Sequence, residues 1–183
     1  MNYSDEEIVK KVLAGEKQLF GELVDRYQRP IYNLMLRYAQ NRDEAADLTQ
    51  DAFLRTYERL WSFRTNKVFF PWMYSLAVNL AKDWNRKNIR QKAKTHILQH
   101  EATEKQHNED ENTGIETRQE LEQVQYALME LSTQTREILI LRYRHGYPVN
   151  DVASSFSLSK SAVKMRIKRG LAQLRNILLD KQD

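Results

Sequence analysis

The chain contains no cysteine, which excludes disulfides, a thiolate nucleophile and any cysteine-ligated zinc. Glycine and proline are scarce too, at 5 and 3 of 183 residues. An all-β fold needs many turn breakers, so this shortage leaves an all-α fold as the reading. No uncharged apolar run approaches the ~18 residues that a membrane span requires. The opening MNYSDEEIVKK is polar and acidic, unlike a secretory signal. A cytoplasmic chain with no membrane insertion is therefore expected. No paired catalytic carboxylates or nucleophile–base set stands out, so neither an enzyme nor a cofactor is expected. What is present is modest positive charge, +4 in all, with a sequence pI near 9.2. Clustered on one surface, it would suit an anionic partner.

Apolar residues recur at helical spacing along most of the chain. Ser4 and Glu7 form a capping-box signature before Ile8, Val12 and Leu13, and Gly15 is a natural stop. A second helix should bury Phe20, Leu23, Val24 and Tyr27, with Pro30 opening a third that buries Ile31, Leu34, Met35 and Tyr38. Asp43 is the expected cap of a helix burying Ala45, Leu48, Ala52, Phe53, Tyr57 and Leu60. An aromatic loop from Trp61 to Pro71 leads to a helix whose inner face is Trp72, Met73, Leu76, Ala77, Leu80, Ala81 and Trp84. Residues 91–115 are polar and end in an acidic tract, a composition that cannot build a core. Beyond this flexible linker, periodicity resumes with Leu121, Val124, Leu128 and Leu131. Two small helical modules are predicted, 1–90 and 116–183.

The second module ends in a short helix opened by Pro148, a Ser-Leu-Ser turn and a basic helix capped by Ser159. Two helices joined by a tight turn, the second basic, form the helix-turn-helix pattern. With Val163, Ile167, Leu171, Leu174 and Leu178 inward, the other side shows Lys160, Ser161, Lys164, Met165, Lys168 and Arg169. Such a face fits the major groove, with base edges read near the helix start and phosphates held by the cations. An ordinary solvated basic face is the alternative. Arg166 belongs to the same set, although its angle turns it partly beneath the helix.

In the first module, Ser75, Val78, Asn79, Lys82, Asn85 and Arg86 are placed opposite the core stripe of the helix from Trp72. Lys87, Arg90, Lys92 and Lys94 extend that line into a positive patch. Cations beside an aromatic loop suit an unpaired strand, because charges follow the backbone while amides and rings hold bases. Most of the aromatics, Trp61, Phe63, Phe69, Trp72 and Trp84 among them, are expected mainly in the core. On the helix from Asp43, Asp47, Gln50, Asp51, Leu54 and Glu58 share an outer face. An exposed leucine among carboxylates suggests docking to a basic helical partner, with a plain solvated face as the alternative.

From about Glu16 to Leu178, linker excepted, the chain resembles the extracytoplasmic-function group of bacterial sigma factors. DEAADLTQDAFLRTY is similar to the family's polymerase-binding helix, and WMYSLAVNLAKDWNRK to the helix that reads and melts the −10 element. LSTQTREILILRYRHGYPVNDVASSFSLSKSAVKMRIKRGLAQLR resembles the −35-binding region. The resemblance implies a factor that directs polymerase core to promoters and promotes opening. It assigns Asp47, Gln50, Asp51 and Leu54 to polymerase binding, with the β′ and β subunits of core as partners. Asn79, Lys82, Arg86, Lys87 and Phe70 fall to −10 DNA, and Lys160, Ser161, Lys164, Met165, Arg166, Lys168 and Arg169 to −35 DNA. The linker would thread the RNA exit path, its Glu101, Glu104, Glu109, Asp110 and Glu111 acting as a nucleic-acid mimic. An anti-sigma protein is a further partner in this family.

The chain departs from the family pattern at Ser132, at Pro148 to Asp151, at Ser161-Ala162, at Met165 and at Phe70. The resemblance implies that Met165 and Lys168 occupy positions that tune base preference. Two rival readings remain. A helix-turn-helix regulator acting without polymerase accounts for Lys160 to Arg175, but leaves the Asp47–Leu54 face and the Asn79 helix without a purpose. A metal site on His96, His100 and Glu104, four apart and near His107, lacks an apolar surrounding; no metal is expected.

Overall fold

The computed structural model describes residues 3–95 and 115–180, with side chains at 3–89 and 123–180. The His96, His100 and His107 reading and the linker carboxylates lie outside these residues. The described residues form helices and no strands, and the chain divides into two units, Met1–Gln106 and His107–Asp183.

The first unit begins with α1 (Asp5–Leu13), whose start is the expected capping box. The Ser4 amide donates to the Glu7 carboxylate at 2.8 Å, and the Glu7 amide donates to Ser4 Oγ at 3.2 Å. The bonds from Ser4 hold the Glu7 carboxyl below the ordinary carboxylate range. Gly15, at φ 112, turns the chain after α1, a conformation that favours glycine. α2 (Phe20–Met35) runs straight through Pro30, which does not begin a new helix. An interior proline costs a helix about 3 kcal/mol; here Leu23, Ile31, Leu34 and Met35, buried on both sides of it, keep the two halves continuous. α1 is fastened to α2 by Asp5, which accepts from Arg26 Nη1 at 2.7 Å and from the Tyr27 hydroxyl.

α3 (Arg42–Glu58) starts two residues earlier than Asp43 would place it, because Asn41 is the cap. Asn41 Oδ1 accepts the Glu44 amide at 2.8 Å while Glu44 reaches back to the Gln40 amide at 2.9 Å. A short 3₁₀ turn, Leu60–Ser62, leads to the long α4 (Phe69–Thr95). Phe63, Phe69 and Trp72 pack with ring centroids 5.1–5.8 Å apart, and Phe70 stacks on Tyr27 at 4.7 Å.

The second unit holds α5 (Ile115–Glu130), α6 (Thr133–Leu139), α7 (Val149–Ser155) and α8 (Lys160–Leu179). A single π turn, Ile140–Arg144, follows α6. Arg136 and Glu137 are buried beside one another, Nε to Oε1 3.2 Å, with Met129 Sδ 3.0 Å from Arg136 Nη1. The turn between α7 and α8 places Ser157 at φ 54.

Candidate nucleic-acid and polymerase interfaces

α8 is set by its cap and its anchor. Ser159 Oγ accepts the Ala162 amide at 3.1 Å, and Val163 one turn on is fully buried. That fixes the roll of the helix and leaves Lys160, Ser161, Lys164, Met165, Lys168 and Arg169 together on the exposed side. Arg166 is half-buried and lines a shallow cleft of about 410 Å³ with Thr135, Arg169 and Gln173. Leu171, expected inward, is exposed. The buried position is Gly170, where α8 comes so near α6 that a Cβ would stand 2.6 Å from Thr135 Cγ2. A sequence scan for apolar side chains passes over a glycine, and so missed this contact.

On α4 the polar line is narrower than the periodicity suggested. Ser75 and Val78 are buried, the Ser75 hydroxyl donating to the Trp72 carbonyl at 2.8 Å. Asn79 is exposed between buried Val78 and Leu80, and Asn85, Arg86 and Lys87 are exposed on the turns after it, with Lys82 half-buried. Arg86 Nη2 lies 3.2 Å from Asp83 Oδ1 across an exposed turn. Phe70 is only 2% exposed and held between Tyr27 and Tyr74. A ring so fully buried offers no face to a base, so Phe70 leaves the −10 set. Trp61 is corrected the other way, being 77% exposed and not a core residue.

On α3, Asp47, Gln50, Asp51 and Leu54 are all exposed, as is Glu58. Leu54, at 56% exposure, does not stand alone. With Gln50 it edges an open groove of about 720 Å³ toward α2, lined by Phe20, Val24, Phe53 and Tyr57. The helical spacing predicts all four in the core; Phe53 is buried, Phe20 and Val24 are half-buried, and Tyr57 is exposed. The acidic face therefore borders an apolar floor.

No helix among the described residues is long and apolar enough to cross a membrane. Residues 23–91 match the family model for sigma-70 region 2, and residues 121–174 match that for sigma-70 region 4. The RNA polymerase sigma-H factor of Pseudomonas aeruginosa is 30% identical over 171 residues, covering 90% of this chain and 89% of that protein. The ECF RNA polymerase sigma factor SigW of Bacillus subtilis is 29% identical over 185 residues, covering 94% and 95%. Among solved structures, CnrH, in complex with the cytosolic domain of CnrY, has the same fold, with TM-score 0.69 and 23% identity over 98% of this chain and 99% of that one. RpoE from Bartonella quintana, in complex with the anti-sigma factor NepR, gives TM-score 0.68 and 21% identity over 87% and 96%.

Proposed function

The chain belongs to the extracytoplasmic-function group of the sigma-70 family, and on that premise we propose that it recruits RNA polymerase core to promoters and takes part in opening them. The observation that carries this reading is the presence, in one chain, of a capped basic helix and an acidic face bordering an apolar groove. The first suits duplex DNA and the second a protein. Neither alone would separate a sigma factor from a regulator that binds DNA unaided.

Each side chain then has a part. α8 enters the major groove of the −35 element, with Ser161, Met165 and Lys168 toward base edges and Lys160, Lys164 and Arg169 toward phosphate. Arg166 braces α8 against α6 and reaches phosphate from the cleft edge. Asp47, Gln50 and Asp51 meet basic side chains of polymerase β′ while Leu54 supplies the apolar anchor, β contacting the factor elsewhere. Asn79 offers a carboxamide that donates to and accepts from an unpaired −10 base, and Lys82, Arg86 and Lys87 follow its backbone. The protein works in the cytoplasm as a DNA-binding initiation factor with no catalytic step of its own. An anti-sigma protein covering the α3 face would compete with polymerase.

The test is gel retardation on a promoter duplex with and without core enzyme. Retardation that requires core, together with transcripts starting at one site, supports the reading. Tight, sequence-specific binding by the chain alone would favour a regulator independent of polymerase.

A further inference from the structure

Met165 is out of keeping with the surface that carries it. α8 has no carboxylate between Lys160 and Leu179 and is rich in lysine and arginine. From Lys160 to Gly170, Met165 is the only large apolar side chain left exposed, at 49%. Its direction follows from the anchor of the helix. Successive helical residues turn by about 100°, so Ser161, Met165 and Lys168 all fall within about 40° of the line opposite buried Val163. Lys164 and Arg169 flank that stripe, one on each side. The stripe presents a hydroxyl, a thioether and an ammonium in that order. From Ser161 to Lys168 it runs about 10 Å at 1.5 Å per residue, or roughly three base steps of 3.4 Å.

The chemistry of the side chain limits what it can read. A thioether donates no hydrogen bond and accepts only weakly, so it cannot tell apart the donors and acceptors of the base edges. The one apolar group that a base presents in the major groove is the C5-methyl of thymine. An unbranched, flexible side chain can settle on such a group without a fixed angle of approach. Lys164, Lys168 and Arg169 have no ion-pair partner among the described residues. Phosphates held by Lys164 and Arg169 on the two flanks would bring a base pair directly under Met165. Because the chain departs from the family pattern at this position, the preference that Met165 confers is its own.

We infer that Met165 is a specificity determinant that seats on the C5-methyl of one thymine in the −35 element, so that this chain selects a T·A pair there. The inference rests on the proposed docking of α8 in the major groove and names the group that one of its side chains reads.

The experiment uses holoenzyme assembled from core polymerase and the full chain, on a promoter mapped from its own transcripts. Deoxyuridine replaces each thymine of the −35 element in turn, on either strand. It keeps the pairing and every hydrogen-bonding group and removes only the methyl. With the native chain, one such replacement should weaken −35-dependent recruitment about fourfold, the worth of one buried methyl group. With Met165→Ala the same replacement should have no effect, whereas Met165→Leu, still apolar at its end, should keep most of the sensitivity. Exchanging that T·A pair for C·G should weaken native recruitment, and 5-methylcytosine in place of the cytosine should restore part of it. Because Met165 is exposed, neither variant should disturb folding. Native recruitment indifferent to every deoxyuridine, with alanine at Lys164 and Arg169 still abolishing it, overturns this inference and leaves the docking of α8 intact. Met165→Ala that weakens recruitment yet retains the methyl sensitivity also overturns it. Native recruitment that ignores the −35 sequence altogether would overturn both.

Discussion

Gly170 approaches Thr135 so closely that a Cβ built on it would stand 2.6 Å from the Thr135 Cγ2 methyl, with Leu139 Cδ1 at 3.0 Å. The contact joins α8 to α6 on the buried side of α8, away from its basic face. Gly170→Ala should strain it by about 1–3 kcal/mol, although alanine favours a helix by about 1 kcal/mol. Hydrogen exchange should quicken in peptides from both helices and stay unchanged in α2 and α3. Adding Thr135→Ser removes the opposing methyl, and protection should return in part.

The α3 face gives a second prediction. Leu54→Ala combined with Asp51→Lys should weaken core binding by on the order of 2 kcal/mol or more, while both units keep their helicity. Both side chains are exposed, so a folding defect is not expected. Undiminished co-purification with core polymerase would remove this face from the account.

Phe70 supplies a third. Its ring is buried against Tyr27, so Phe70→Ala should destabilise the first unit by about 3–5 kcal/mol. A thermal scan should show that loss. A variant of native stability with altered −10 preference would instead return Phe70 to the DNA set.

For α8, alanine at Lys164 and Arg169 should abolish −35-dependent recruitment and reduce the dependence of binding on salt, by about one counterion per lost phosphate contact. Lys17→Ala, exposed in the other unit, serves as the control. Equal effects of the two would mean that the basic face of α8 is only solvated.

What was legible in the sequence was local. Ser159 and Ser4 carry their caps in the residue and the spacing, and the cations of α8 sit on one face because Val163 sets the opposite one. What was not legible depends on partners distant in sequence. Trp61 and Phe70 lie in one aromatic stretch, and nothing in it says that Tyr27 and Tyr74 take the second ring while the first is left out. Pro30 marks a break on local grounds, yet burial on both sides carries α2 through it. Asn41 and Asp43 are both good caps two positions apart, and the reciprocal Glu44–Gln40 bond selects the earlier. Gly170 matters for the side chain it lacks, which no hydrophobic pattern registers.

The central claim, that α4 captures bases as the duplex opens, is tested most directly by permanganate footprinting of holoenzyme carrying Asn79→Ala. Core binding and −35 recruitment should stay near native, because Asn79 is exposed and lies on neither α3 nor α8. Thymine reactivity across the −10 region of a duplex promoter should fall, and a pre-opened bubble, where unstacking is already done, should recover part of it. Discrimination at one −10 position should relax by roughly 1–3 kcal/mol, the worth of a lost base contact. A variant that opens duplex promoters at the native rate with native base preference would contradict the claim and move the strand path away from α4.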